Sequence, residues 1–406
     1  MRKSPDAIGS HGNASTQRSR SEKSPLLGTR IAIASSGLGH IHRGIEAWAE
    51  SLALALRRRG HDVRLFQGGP TADTEWRETL PCLRRFSPTT IKLVNVLRRV
   101  GGWRFGFGSV SGAEHTTFAL SLWPRIARKY DILHVQEPLV ALILDRLNRL
   151  GLSRPRVILG HGTEEDTTML RKYSYLQHLA PAYLEQYEIH RPESQKVFAI
   201  PNFVDTGRFC PGPKPAARRS WNLPEDAQVF LCVAAIKKVH KRIDYLIREF
   251  ASYLGNNGSD AILVIAGGRE TDTAELRELA SRLTGDRIVI LENIPRDEIC
   301  SLYQAADVFV LSSLVEMFPV ALLEAMGTGL PVVCNNTSVL EWMIGPAGLA
   351  TNLAETGALA HALKTISSRE DLHELGILAR ERVEDLFSEE VVVRQIIDMY
   401  EQVLAV

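Results

Sequence analysis

From Arg30 onward, short apolar runs alternate with segments whose apolar residues recur every three or four positions. Arg30–Ser35 has the pattern of a strand buried on both faces. The segment after it places Ile45, Ala49, Leu52 and Leu56 on one helical face. It closes on three arginines and Gly60, cations suited to a helix C-terminus followed by a stop. Further strands are predicted at 62–66, 131–135, 156–160 and 196–200. Such repetition predicts a parallel sheet with helices on both faces. Residues 209–215, dense in proline and glycine, read as a linker. A second series follows, with strands predicted at 229–234, 262–266, 287–291, 307–311 and 331–334. The expected fold class is therefore α/β, with two Rossmann-like domains at 29–205 and 216–387. Sheets of this kind bind ligands beyond the carboxyl ends of their strands, so a site is expected in the cleft between them.

Composition narrows this picture. A chain of 406 residues suits two domains, and 45% hydrophobic with 23% charged residues is ordinary for a globular protein. The net charge of +1 gives no reason to expect a nucleic-acid partner. Cys82, Cys210, Cys232, Cys300 and Cys334 are scattered, with no Cys-x-x-Cys pair. Neither a disulfide framework nor a metal site is expected, and the reading is of a reducing cytoplasm. The longest apolar stretch, 308–326, is broken by Ser312, Ser313 and Glu316, so no membrane span is expected. Residues 1–28 lack both apolar periodicity and the apolar block of a secretory signal, and are read as a disordered tail.

Four segments carry candidate chemistry. In residues 35–44, Gly37, Gly39 and Gly44 sit between a strand and a helix, where backbone amides can approach an anion. His42 replaces the third glycine of a dinucleotide fingerprint, and residues 66–69 lack its ribose-binding acid, so a dehydrogenase is disfavoured. A plain tight turn is the alternative. His161 follows a strand and can hold a phosphate or sugar hydroxyl, although a lone histidine is commonly structural. Glu164, Glu165 and Asp166 read as the first turn of a helix. Lys237, Lys238 and Lys241 lie in a basic loop after the first strand of the second series, suited to a diphosphate or simply solvated. In residues 312–333, Pro319 is expected at the first helical position, leaving the amides of Val320 and Ala321 free for phosphate oxygens. Glu316 in the loop and Glu324 in the helix would repel a phosphate and so fit hydroxyl groups. Ser338 and Glu341 fit a capping box.

Taken in order, these pieces resemble the retaining glycosyltransferases of family four, which have the GT-B architecture. The resemblance rests on the opening glycine-rich turn with Arg43 and Glu46, on Gly60-His61-Asp62, and on Asp131 to His134. It continues through Pro201-Asn202, Lys241, the Glu316 and Glu324 pair, and residues 324–333. The family implies nucleotide-sugar-dependent sugar transfer with retention and without a metal or cofactor. It implies that His161, Lys241 and Glu316 serve the transferring sugar and diphosphate, and that Glu324 binds ribose. Gly39, Lys237, Gly267, Gly268, Ile294, Phe318, Val320 and Ala321 would complete the donor site. It also implies that the last helix, 388–406, crosses back to the first domain. Ala234-Ala235 replaces the family's Gly-Arg pair, with Lys237 or Lys238 as substitutes, and Met317 and Pro319 stand where glycines are common. A nucleotide-sugar epimerase, a phosphorylase or an inactive sugar-nucleotide-binding protein on the same fold remain alternatives.

The acceptor, of unknown glycan, lipid or small-molecule class, would enter from the first domain. Residues 84–111 carry Arg84, Arg85, Lys92, Arg98, Arg99 and Arg104 interleaved with Trp103, Phe105 and Phe107. This segment, Arg98, Arg99 and Trp103 above all, is expected to border the acceptor site and to contact anionic lipid peripherally. An ordinary core helix with a basic solvated side is the alternative.

Overall fold

The computed structural model describes residues 26, 28–41, 44–70, 74–189, 191–257 and 260–405. His42, Arg43 and nearly all of the expected tail lie outside these. Leu26 does not: it is buried at 3% exposure among core residues of the first sheet, so the fold begins earlier than the composition suggested.

The strands are β1 (Arg30–Ser35), β2 (Asp62–Gln67), β3 (Arg77–Thr79), β4 (Ile132–Val135), β5 (Arg156–His161), β6 (Tyr175–His178) and β7 (Lys196–Ala199) in the first half. The second half holds β8 (Gln228–Val233), β9 (Ala261–Gly267), β10 (Ile288–Glu292), β11 (Val308–Val310), β12 (Val332–Asn335) and β13 (Gly348–Thr351). They build a seven-stranded sheet ordered β3-β2-β1-β4-β5-β6-β7 and a six-stranded sheet ordered β10-β9-β8-β11-β12-β13. Neighbouring strands run parallel in both. Central strands are apolar on both faces, as burial between two helical layers requires. In each sheet the order reverses beside the first strand, between β1 and β4 and between β8 and β11. Loops leaving those pairs diverge to opposite faces and open a crevice at the carboxyl edge.

The last helix, Glu389–Leu404, starts at Ser388, whose side chain accepts from the Val391 amide. Its Val392, Ile396, Met399 and Val403 are fully buried among Ile31, Leu52 and Leu65 of the first sheet's core. Tyr400 on this helix shares a 2.8 Å hydrogen bond with Nδ1 of the buried His134 on β4. Val204 also pairs with Ser388 as an isolated bridge. The chain thus crosses between halves twice, at 202–209 and again near 388.

Two helix starts differ by one residue from expectation. Pro319 is the cap and Val320 the first helical residue, because the proline's extended ψ of 106° lies outside the helical range. Thr337 rather than Ser338 caps Ser338–Ile344, its hydroxyl accepting from the Leu340 amide at 3.4 Å. The acids 164–166 also precede their helix: Asp166 caps Thr167–Leu170, accepting from the Thr168 amide at 2.7 Å.

Candidate active site

In the second half, the loops leaving β8 and β11 flank the reversal point, and each brings one expected residue. The loop after β8 carries Lys241, and the loop after β11 carries Glu316. Their side chains form an ion pair, with 24% and 13% side-chain exposure. Ser312 ties the loops together, its hydroxyl donating to the Lys241 carbonyl at 2.7 Å. The β8 loop is bent sharply: His240 and Arg242 both hold positive φ, 67° and 49°, on either side of Lys241. Arg242 is anchored there by a 2.7 Å bond to the Leu353 carbonyl and by stacking 3.9 Å from the Tyr245 ring centre. Non-glycine residues in this region carry strain, and here the strain aims Lys241 into the crevice. Lys238 points away to Glu275 at 2.5 Å.

Helix Val320–Gly327 opens beside that pair. Its N-terminal dipole and the first-turn amides of Val320 and Ala321 present positive potential toward the crevice. Phe318 is held elsewhere. Its ring is 7% exposed and packs against Trp342 and Phe387, so its side chain anchors the loop. Glu324 is buried, and Tyr303 donates to its Oε2 at 2.8 Å. Burial raises its pKa, opposed by the nearby charge of Arg296, the Tyr303 bond and Arg208. A cavity of about 230 Å³ joins Val320, Glu324, Arg296 and Arg208 to Trp48 and Arg58 of the first helix. Gly267 is explained by packing alone. A Cβ there would meet the Ala234 carbonyl oxygen at 1.8 Å, so β8 packs directly against this position and only glycine fits. A Cβ added at Gly268 would meet nothing within 4 Å, and Ile294 is half-buried against the second core.

The first half contributes His161 at the end of β5. It is 4% exposed, with Nδ1 3.2 Å from Nδ1 of His178 at the end of β6 and Nε2 3.3 Å from Glu165 Oε2. Burial works to raise the Glu165 pKa, but the nearby His161 and the bond from Thr163 outweigh it and hold the group below the usual range. Tyr183 spans the two halves. Its hydroxyl donates to the carbonyls of Met317 at 3.0 Å and Glu316 at 3.3 Å, and its ring centre lies 6.5 Å from that of His161. Burial, then Glu164 and Glu316, push its pKa up to about 12, so it stays a donor at neutral pH. His161, Tyr183, Glu316 and Lys241 therefore form one connected group. His178 escaped sequence reasoning because β6 is a four-residue strand of mixed polarity, and Tyr183 because it lies on the short helix Pro181–Glu188 that follows.

Residues 42–208 match the family model described as Glycosyltransferase Family 4, and residues 213–381 match Glycosyl transferases group 1. Together they take in most of the chain and both halves of the cleft. The chain belongs to the family-four glycosyltransferases. A stretch of 186 residues, 43% of this chain and 41% of its relative, is 30% identical to D-inositol 3-phosphate glycosyltransferase of Acidothermus cellulolyticus. Another of 223 residues, 54% of this chain and 57% of its relative, is 25% identical to N-acetyl-alpha-D-glucosaminyl L-malate synthase of Bacillus anthracis. The match spans about two fifths of the length of the inositol-phosphate relatives. Sucrose-phosphate synthase from Thermosynechococcus elongatus superposes with a TM-score of 0.75 at 20% identity, covering 93% of this chain and 99% of the other. Anabaena Alr3699/HepE in complex with UDP-glucose superposes at 0.67 and 16%, covering 92% and 99%. The shared fold is GT-B, two Rossmann-like domains facing across a cleft.

In the first half the glycine-rich loop after β1 lies over buried acids. Gly39 holds φ 92°, and a Cβ there would meet Gln67 and the Gly69 backbone at 2.9–3.0 Å. Glu114, fully buried, accepts from the Arg85 amide at 2.7 Å and guanidinium at 2.5 Å, and bonds His40 at 2.9 Å. Glu137 Oε1 accepts from the Ser36 amide at 2.8 Å and the Ser35 hydroxyl at 2.9 Å, while its Oε2 has no hydrogen-bond partner. Burial, and next the charge of Glu46, push the Glu137 pKa up to about 7. A carboxyl raised in the folded state favours folding while protonated. That contribution is complete below the ordinary carboxylate range and is lost as pH rises through about 7. Glu137→Gln keeps an acceptor for Ser35 and Ser36 and removes the charge. Urea unfolding should show the variant nearly equal to the parent at pH 5 and more stable by on the order of 1–3 kcal/mol at pH 8. An equal difference at both pH values would contradict the assignment.

Proposed function

We propose that this chain transfers a sugar from a nucleoside-diphosphate sugar to an acceptor hydroxyl, with retention of configuration and without a metal ion. The Lys241–Glu316 pair beside the amides of Val320 and Ala321 carries the reading. A diphosphate would take the Lys241 ammonium and the helix N-terminus. The freed Glu316 carboxylate would accept from sugar hydroxyls, and Glu324 would accept from ribose. Gly39, Lys237, Gly268 and Ile294 would border the donor, and His161 would donate to sugar or phosphate oxygen.

In the step, the bond from anomeric carbon to diphosphate oxygen breaks and a bond to the acceptor oxygen forms. The acceptor's hydroxyl proton passes to the departing diphosphate. Negative charge grows on that leaving group, so fixed cations and helix amides there lower the barrier. In this reading Glu316 serves sugar hydroxyls and Glu324 the ribose, so neither is assigned as the nucleophile of a covalent double displacement. Lys241→Ala and Glu324→Ala should each stay folded and lose at least about 100-fold in turnover, the scale of removing one preorganised charge contact. EDTA should leave wild-type turnover unchanged. Wild-type turnover in both variants, or EDTA inhibition reversed by manganese, would overturn the reading.

The acceptor side supports a cytoplasmic enzyme working at the inner face of the membrane. No described helix is long and apolar enough to cross a membrane. Residues 79–113 contain no Asp or Glu. Helix Pro88–Leu97 and the turns after it expose Val96, Val100, Trp103 and Phe105 at 61–76%, beside the exposed Lys92, Arg98, Arg99 and Arg104. Only Thr90 and Val94 of that helix are buried. Apolar side chains ringed by cations suit an anionic lipid surface or an anionic acceptor. Wild-type protein should sediment with anionic and not neutral vesicles. Arg98→Glu with Arg99→Glu should abolish this and leave donor binding intact. Unchanged sedimentation would remove membrane contact from the proposal.

A further inference from the structure

His178 has no place in the reaction above, yet it is 1% exposed and its Nδ1 lies 3.2 Å from Nδ1 of His161. Two ring nitrogens at that distance must share one hydrogen, so one imidazole donates and the other accepts. The surroundings decide which. His161 Nε2 faces the Glu165 carboxylate at 3.3 Å without an aligned hydrogen bond. Nε2 must carry a hydrogen, because a lone pair there would face a carboxylate oxygen. A neutral His161 with hydrogen on Nε2 has only a lone pair on Nδ1 and therefore accepts. His178 Nε2 has no hydrogen-bond partner, and the Tyr187 ring centre lies 5.4 Å from that of His178. Burying an unpaired N–H is costlier and rarer than burying an unpaired acceptor, so the His178 hydrogen belongs on Nδ1. Burial above all, with the His161 ring beside it, holds the His178 pKa down to about 3, which keeps it neutral and limits it to one hydrogen.

We propose that His178 is a positioning residue: it donates Nδ1–H to His161 and so fixes His161 as an Nε2–H donor. That hydrogen is only loosely held by Glu165 and is available to an oxygen of the donor sugar or phosphate. Without His178 the His161 ring can adopt the other tautomer and present a lone pair, which would repel the same oxygen. The geometry stands on the histidine pair alone. Its catalytic consequence rests on the glycosyltransferase reading.

The test has two arms. Nitrogen-15 NMR of the full chain labelled at histidine reads the tautomers directly, with signals assigned through His161→Gln and His178→Asn. The expected result is hydrogen on Nε2 of His161 and on Nδ1 of His178. Hydrogen on Nδ1 of His161 overturns the proposal, whatever the chain catalyses. In the kinetic arm, Asn places an amide donor where His Nδ1 sits and Phe places none. His178→Asn should retain turnover within about threefold, and His178→Phe should lose about tenfold in kcat with a smaller change in donor KM, the scale of one lost hydrogen bond. Equal losses in both variants mean packing alone and count against the idea, as does full activity in the Phe variant. Activity missing from the wild type as well defeats the glycosyltransferase reading, and the NMR arm still decides the histidine pair.

Discussion

A parallel sheet whose strand order grows outward in both directions from its first strands must send successive crossovers to opposite faces. Between β8 and β11 that divergence leaves the carboxyl edge uncovered by any helix. Whatever fills the crevice must come from loops or from a ligand. Here the two loops fill it with opposite charges, Lys241 and Glu316, and a helix N-terminus opens alongside. The same reversal between β1 and β4 sets the glycine-rich loop and Glu137 at the facing edge. Both halves of the site therefore follow from one topological constraint applied twice.

A partly buried ion pair in such a crevice satisfies each partner's desolvation without committing either to the core. Both groups keep chemistry that a ligand can take over: an ammonium for phosphate, a carboxylate for hydroxyls. Glu324 is placed differently, buried on the helix with one oxygen held by Tyr303 and arginines 208 and 296 nearby. That arrangement orients the remaining oxygen before any ligand arrives. Tyr183 links this machinery to the first domain through the carbonyls of Glu316 and Met317. The loop that carries the acid is thus positioned by contacts from both halves.

The architecture was largely legible in the sequence, because buried parallel strands write themselves as short apolar runs such as 229–234 and 262–266. Three strands were missed. β3, β6 and β13 are short or lie away from the centre, and each is at most half-apolar or only partly buried. That Lys241 and Glu316 share one crevice beside the start of helix Val320–Gly327 follows from their places in strand-end loops. Less legible are the residues whose surroundings depend on what lies across space. Phe318 looked like a donor neighbour until Trp342 and Phe387 enclosed it. Gly267 lies against the Ala234 carbonyl, where no side chain would fit. Glu165 was set aside as helix-end charge, yet the helix starts two residues later and the carboxylate turns toward His161.

The central claim is that the crevice between β8 and β11 is a nucleoside-diphosphate site centred on Lys241. Calorimetric titration of UDP, GDP and ADP into the wild type and into Lys241→Ala tests it most directly. The account predicts that one of the three binds the wild type in metal-free buffer, and that its affinity falls at least about tenfold in the variant, as expected when a charge-assisted contact is removed. Failure of all three to bind the folded wild type, or equal affinity in both proteins, would contradict it.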